Sequence, residues 1–306
     1  MHRSLIEWTD YSGGAANFVR RGKRPGDCEI SAGCKNCYVE RCWRRNPSVW
    51  PRETTCYPEK LASLSRWKPT PRGNPYRRGT GSKPMVFVCD TGDLFHDAVP
   101  DAFIVQALSA MAGRPDVDWQ ILTKRAARMV PLVNDWLADR RMAYAPTCIW
   151  FGTTVEWQRQ DWRVERLLSL RSFRRWLSVE PMIGALDLVK PLGLWVGDLA
   201  WVVVGGESGS EARPMHPDWA RQVRDLCQVR EVPFFFKQWG EWAPWDGNLS
   251  DPFIVAAVHT DGSYQRIGDG IDESPSCTMA RVGRKRAGRV LDGRGWNEFP
   301  EEDPDA

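Results

Sequence analysis

The sequence predicts an α/β protein built as a complete or partial barrel of the TIM type. Two observations point there. Six short apolar runs start 33, 30, 26, 26 and 33 residues apart, and about thirty residues is the length of one strand-plus-helix unit. Each run also ends in a polar or glycine-rich cluster, as expected where the carboxyl ends of parallel strands converge on one mouth. An open doubly wound sheet needs such groups only at its switch point.

The elements follow in order. "MVFVCD" from Met85 ends on Asp90 and Asp93, and "PDAFIVQALSAMAG" behind it has the proline start and glycine stop of a helix. "DWQILTK" from Asp118 ends on Thr123, Lys124 and Arg125; "RAARMVPLVNDWLADR" is an amphipathic helix that Pro131 should kink or interrupt. "CIWFGT" from Cys148 ends on Thr153, Thr154 and Glu156, with a helix expected in "VEWQRQDWRVERLLSLR". "RRWLSVE" from Arg174 ends on Ser178 and Glu180, and "AWVVVGG" from Ala200 on Gly205, Gly206, Glu207 and Ser208. "HPDWARQVRDLCQV" supplies a further helix before "PFFFKQ" from Pro233, which ends on Lys237 and Gln238. Residues 1–84 therefore read as a cysteine-bearing basic region, 85–243 as the strand-helix units and 244–306 as a C-terminal extension, together one structural domain. Any single polar cluster is also explained as an ordinary loop; Asp93 and Glu156 in particular could be plain surface charges.

With 306 residues, 42% of them hydrophobic, the chain can bury a sizeable core. No apolar run reaches the roughly 18 residues of a membrane span, and the opening lacks the apolar centre of a secretory signal, so a cytoplasmic protein is expected. The net charge of +3 hides an asymmetry: residues 1–85 hold 17 Lys or Arg against 7 Asp or Glu. An anionic partner such as DNA, RNA or a nucleotide suits this region, as does a solvated arginine-rich surface.

Three of nine cysteines crowd into "CEISAGCKNCY". In a reducing compartment such a group points to metal or redox chemistry rather than to disulfides. Three thiolates at Cys28, Cys34 and Cys37 can hold three irons of a 4Fe-4S cluster and leave the fourth iron open to a small molecule. Radical S-adenosylmethionine enzymes use that iron to chelate the cofactor before passing an electron to its sulfonium. Cys42 allows a competing pattern, a closed four-thiolate zinc or iron-sulfur site in a non-catalytic nucleic-acid-binding module. Cys56, Cys89, Cys148, Cys227 and Cys277 are scattered and read as small buried apolar residues.

Other residues have chemistry to offer. Lys124, Arg125, Arg213 and Lys237 suit a carboxylate or phosphate, or pair with Glu180 and Glu207. Lys124, Glu180 and Lys237 are the catalytic candidates. His96 and His216 each stand beside a helix start, as caps or proton carriers. Seventeen tryptophans are mostly core, but Trp239 and Trp242, just past Lys237, are candidates to stack on a base.

"IEWTD" at Ile6, "GCKNCYVE" at Gly33, "DLFHDAVP" at Asp93, "LTKR" at Leu122, "SVEPMIG" at Ser178, "VVGGESGSEARPMHPDW" at Val203, "FFFKQWGEW" at Phe234 and "DGRGWNEFP" at Asp292 resemble the successive signatures of a phage-associated three-cysteine family, radical-SAM-like and distantly similar to spore photoproduct lyase. The resemblance implies a modified barrel, a 4Fe-4S cluster on Cys28, Cys34 and Cys37, S-adenosylmethionine as cofactor, and an electron donor such as a flavodoxin or ferredoxin. It also implies modification or repair of a nucleic-acid or nucleotide substrate. Two departures stand out. Five residues rather than six separate Cys28 from Cys34, and the Gly205-Gly206-Glu207 segment follows a much later strand than in radical SAM enzymes. The cofactor-binding candidates are thus Asp90, Asp93, Gly205, Gly206 and Glu207, and where Glu207 faces substrate instead the amino-binding role falls to Asp90 or Asp93.

Overall fold

The computed structural model describes residues 2–4, 6–22, 30–68, 76, 83–189, 198–245, 255–266 and 277–301. The N-terminal region contains strands β1 (His2–Arg3), β2 (Tyr11–Ser12) and β3 (Val19–Arg20), helix α1 (Tyr38–Arg45), strand β4 (Thr55–Cys56) and helix α2 (Pro58–Ser63). The six expected runs follow as β5 (Met85–Phe87), β6 (Asp118–Thr123), β7 (Ile149–Thr154), β8 (Arg175–Val179), β9 (Trp201–Gly205) and β10 (Phe234–Gln238). Between them lie α3 (Asp101–Ala112), α4 (Ala126–Asp139), α5 (Trp162–Leu168) and α6 (Pro217–Val229).

Strand order in the main sheet is β1-β2-β5-β6-β7-β8-β9-β10. β1 pairs antiparallel with β2, and every later neighbour is parallel, so the sheet has seven parallel strands in chain order. β1 and β10 stand at opposite edges among the described residues, which makes this a half-barrel rather than a closed one. The sheet is nonetheless curled. β5 and β9 are four strand spacings apart, roughly 19 Å in a flat sheet, yet the ring of Trp8 lies 4.8 Å from Phe87 on β5 and 6.4 Å from Trp201 on β9.

Both faces of the sheet are apolar, as parallel strands buried on two sides require. On the convex side Val86, Ile121, Phe151, Leu177, Val204 and Phe236 join the inner faces of α3 to α6 in one continuous core. The alternate positions Met85, Phe87, Trp150, Trp176, Trp201 and Phe235 form a second cluster around Trp8 with no helical residue in it. Gly152 makes room there: a Cβ at that position would meet the indole of Trp176, its partner on β8, at 2.4 Å. The alternation of two is thus what sorts the sequence into helix-facing residues and residues facing the concave interior.

Pro131 does not interrupt α4, which runs through it. The proline forfeits one backbone bond to Ala127, while Met129, Val130, Val133, Trp136 and Leu137 hold the helix to the sheet. At the C-terminal side β11 (Trp242–Pro244), β12 (Val255–Val258), β13 (Tyr264–Arg266) and β14 (Cys277–Arg281) form an antiparallel sheet of order β11-β14-β12-β13. Beyond it come the short helix α7 (Arg284–Ala287) and the paired strands β15 (Val290–Leu291) and β16 (Arg294–Gly295). Phe299 then packs on Trp201 and Phe235, and the Trp201 indole donates to Glu298 O at 2.8 Å. Because Trp201 and Phe235 begin their strands, this tail covers the end opposite the mouth. No helix among the described residues is long and apolar enough to cross a membrane.

Candidate functional site

The strand ends line one cavity of about 690 Å³, within the usual range for a small-molecule site. Cys34, Cys37, Lys124, Glu180, Glu207 and Lys237 all contribute to its wall, over a floor that includes Trp8 and Phe87. Strand register explains one of the pairs. Glu180 just follows β8 and Lys237 lies on β10, with Gly205 between them at the end of β9; a Cβ on Gly205 would already touch Glu180 at 3.3 Å. Across this bare position Lys237 Nζ reaches Glu180 Oε1 at 2.6 Å.

Cys34 ends a short 3-10 turn, Ala32–Cys34, and Cys37 immediately precedes α1. The turn rests on Glu156: a Cβ at Gly33 would meet Glu156 Oε1 at 2.6 Å, so a larger residue would lift the loop. Glu156 is not a surface charge but has no exposure at all. It accepts from Lys124 Nζ at 2.6 Å, from Arg163 Nη1 at 3.2 Å and from Ser31 Oγ. Lys124 also donates to Cys34 Sγ at 3.3 Å and to Ser31 Oγ at 3.2 Å. Burial pushes the Cys34 thiol up, but the Lys124 ammonium and hydrogen bonds from the Ile30 and Ser31 region outweigh it, leaving the thiol below its ordinary value. Burial likewise disfavours the charges on Glu156 and Lys124, yet each stabilises the other: the carboxyl is held below the usual glutamate range and the amine above the usual lysine range.

A second buried carboxylate clamps the loop from the other side. Glu207 takes a bidentate pair from Arg213 at 2.6 and 2.8 Å, the Arg213 backbone N–H at 2.9 Å, and Asn36 Nδ2 at 3.1 Å. Arg213 Nη2 in turn donates to Ala32 O at 3.0 Å. Gly206 serves packing, since a Cβ there would lie 2.0 Å from Trp239 O. The Gly-Gly-Glu segment therefore organises the cysteine loop. Asp93 is similarly engaged, by Thr123 Oγ1 at 2.8 Å, Phe95 N at 2.9 Å and Arg125 Nη1 at 3.0 Å. Asp90 differs: it lines the cavity, and its Oδ1 is buried with no hydrogen-bond partner among the described residues.

Cys28 lies outside the described residues. Among those described, no three His, Cys, Asp or Glu side chains form a group able to hold a metal. Cys42 is exposed on α1 and does not line the cavity. Cys89, Cys148 and Cys227 are buried, and burial pushes the Cys148 thiol to about 11 and the other two higher still. His96 and His216 sit outside the cavity wall and accept from the backbone N–H of Ala98 and Asp218, both at 3.1 Å. Trp239 and Trp242 do not face the mouth: both are buried, with indoles bonded to Val290 O at 2.8 Å and Ala212 O at 2.7 Å. The aromatic groups that do line the cavity are Trp8, Tyr38 and Phe87.

Comparisons with known proteins come to little beyond the family itself. A variant of spore photoproduct lyase is similar with a TM-score of 0.37 and 10% sequence identity, over 63% of this chain and 56% of that one. No curated protein matches. Residues 3–300 match the family described as protein of unknown function DUF5131, so the chain belongs to that family.

Proposed function

We propose that the chain is a radical-SAM-like iron-sulfur enzyme that uses S-adenosylmethionine to modify a nucleic-acid or nucleotide substrate. The observation that carries this reading is the meeting of Cys34 and Cys37 with the carboxyl ends of the half-barrel strands in one cavity. The donor set fits a cluster. Two sulfurs share the cavity wall, one of them biased toward thiolate, and Cys28 is the third ligand supplied by the sequence. The chemistry such a cluster supplies when bound is one-electron reduction of the cofactor's sulfonium, with the electron drawn from a flavodoxin or ferredoxin.

The chain's own groups do the rest. Lys124, Ser31 and Glu156 fix the Cys34 side chain, and Glu207, Arg213 and Asn36 hold the loop between the cysteines against the end of β9. Among the described residues Asp90 Oδ1 and Gln238 Oε1 are buried acceptors on the cavity wall without a hydrogen-bond partner, and Asp90 carries the charge that suits a ligand ammonium or hydroxyl. Trp8 and Phe87 give an apolar surface on which a purine ring excludes water. Lys237 on β10 and Glu180 after β8 stand on the cavity wall as an ion pair that a bound ligand would meet. The basic charge of residues 1–85 favours a polyanionic substrate. The zinc-module reading is weaker, since among the described residues Cys34, Cys37 and Cys42 do not form a group able to hold a metal.

The test is anaerobic reconstitution with iron and sulfide, reduction in the presence of S-adenosylmethionine, and chromatography for 5′-deoxyadenosine. The wild type should form it and Cys34→Ala should not. A fully loaded wild-type protein that forms none would end this reading.

A further inference from the structure

The wall of the cavity contains a group that the proposed chemistry leaves idle. Arg21 follows β3, lines the cavity and is 8% exposed. Among the described residues its buried Nε has no hydrogen-bond partner and its guanidinium meets no carboxylate. A charge so placed is disfavoured unless something pairs with it. Nor is it there by slack in the chain. Arg21 N donates to Thr91 O at 3.1 Å, and Gly22 N donates to Thr54 Oγ1 at 3.2 Å. A Cβ on Gly92 would lie 2.6 Å from Val19 O, so segment 90–92 is pressed against β3. Thr91 Oγ1 and Asp90 Oδ1, on that segment, are also buried without a hydrogen-bond partner among the described residues, and both residues line the cavity.

We infer that Arg21, Thr91 and Asp90 form a subsite for an oxyanion bearing a neighbouring hydrogen-bond donor. Arg21 and the Thr91 hydroxyl donate to the anion, and the Asp90 carboxylate accepts from the adjoining group. Two sources share this chemistry: a nucleotide phosphate beside its sugar hydroxyls, and the amino-acid end of S-adenosylmethionine. The inference rests on the cavity being a ligand site, not on the cluster.

Calorimetric titration of the anaerobically purified full-length chain with AMP, adenosine and S-adenosylmethionine tests it. Wild type should bind at least one of AMP and S-adenosylmethionine, the two ligands that carry an oxyanion, and Arg21→Gln should weaken that binding about thirtyfold or more while leaving adenosine unaffected. Arg21→Lys should retain part of the affinity. Loss confined to AMP assigns the subsite to a substrate phosphate; loss confined to S-adenosylmethionine assigns it to the cofactor's carboxylate. Thermal melting separates binding from folding, because removing an unpaired buried charge should not lower the melting temperature of the unliganded protein. A lowered melting temperature, or Arg21→Gln binding both ligands as wild type does, overturns the inference. Failure of 5′-deoxyadenosine formation with the Arg21 effect intact would refute the radical chemistry alone.

Discussion

Glu156→Gln is the substitution from which the structure predicts most. The carboxylate has no exposure and balances two cations, Lys124 and Arg163, whose side chains are 20% and 3% exposed. An amide keeps the shape but not the charge, and leaves both cations uncompensated. Breaking a buried pair in this way costs about 3–5 kcal/mol. With an unfolding entropy of about 2.1 cal/mol/K per residue, the 306-residue chain should melt about 5–8 °C lower. The pH dependence has a definite sign. The native carboxyl ionises more readily than the unfolded one, so its contribution is complete at neutral pH and lost as pH falls through the ordinary glutamate value of about 4.3 and below. The assay is thermal and urea denaturation of the metal-free protein from pH 7 downward, wild type against Glu156→Gln, with Lys124→Met added in each background. The gap should shrink in acid, and the double variant should lose less than the sum of the two singles by about 1–3 kcal/mol. A melting shift under about 2 °C at pH 7, or a gap that acid leaves undiminished, would refute the pairing.

Three further outcomes are expected. Gly206→Ala forces a Cβ onto the Trp239 carbonyl and should cost about 3 kcal/mol or more in denaturation, whereas Gly205→Ala meets only the Glu180 side chain and should cost less than about 1.5 kcal/mol. Trp8→Ala empties the centre of the concave aromatic cluster and should lower stability by about 3–5 kcal/mol; a loss under about 1 kcal/mol would show that the ring does not fill it. In metal-free protein Lys124→Met removes the cation beside Cys34, so iodoacetamide labelling of Cys34 near neutral pH, followed by mass spectrometry, should slow severalfold, with buried Cys89 and Cys227 unlabelled in both proteins. Unchanged labelling would mean that Lys124 does not influence the thiol.

The regularity of the strand-helix units made the half-barrel legible, because each of the six runs is long enough to show its periodicity. The seventh parallel strand was not, since Tyr11–Ser12 offers two residues and takes its direction from β5 alone. Whether the sheet closes is a question of edge pairing, which spacing does not encode. Lys124, Glu180, Glu207 and Lys237 line the cavity, but position along a strand does not encode what each binds. Glu156 looks like a surface charge in sequence because its partners come from β6's end, from α5 and from Ser31, 125 residues away. Trp239 and Trp242 misled for a different reason: the register shift between Phe236 and Gln238 breaks the alternation that points Phe235 inward. Arg21 was hidden inside a basic run, where a buried arginine and a solvated one look alike.

Iron and sulfide content decides the central claim most directly. Anaerobically reconstituted wild-type chain should carry about four irons and four sulfides, and Cys37→Ala should retain neither in stable form. Stoichiometric zinc in the wild type, or undiminished iron-sulfur content in Cys37→Ala, would contradict a cluster held at the mouth of the half-barrel.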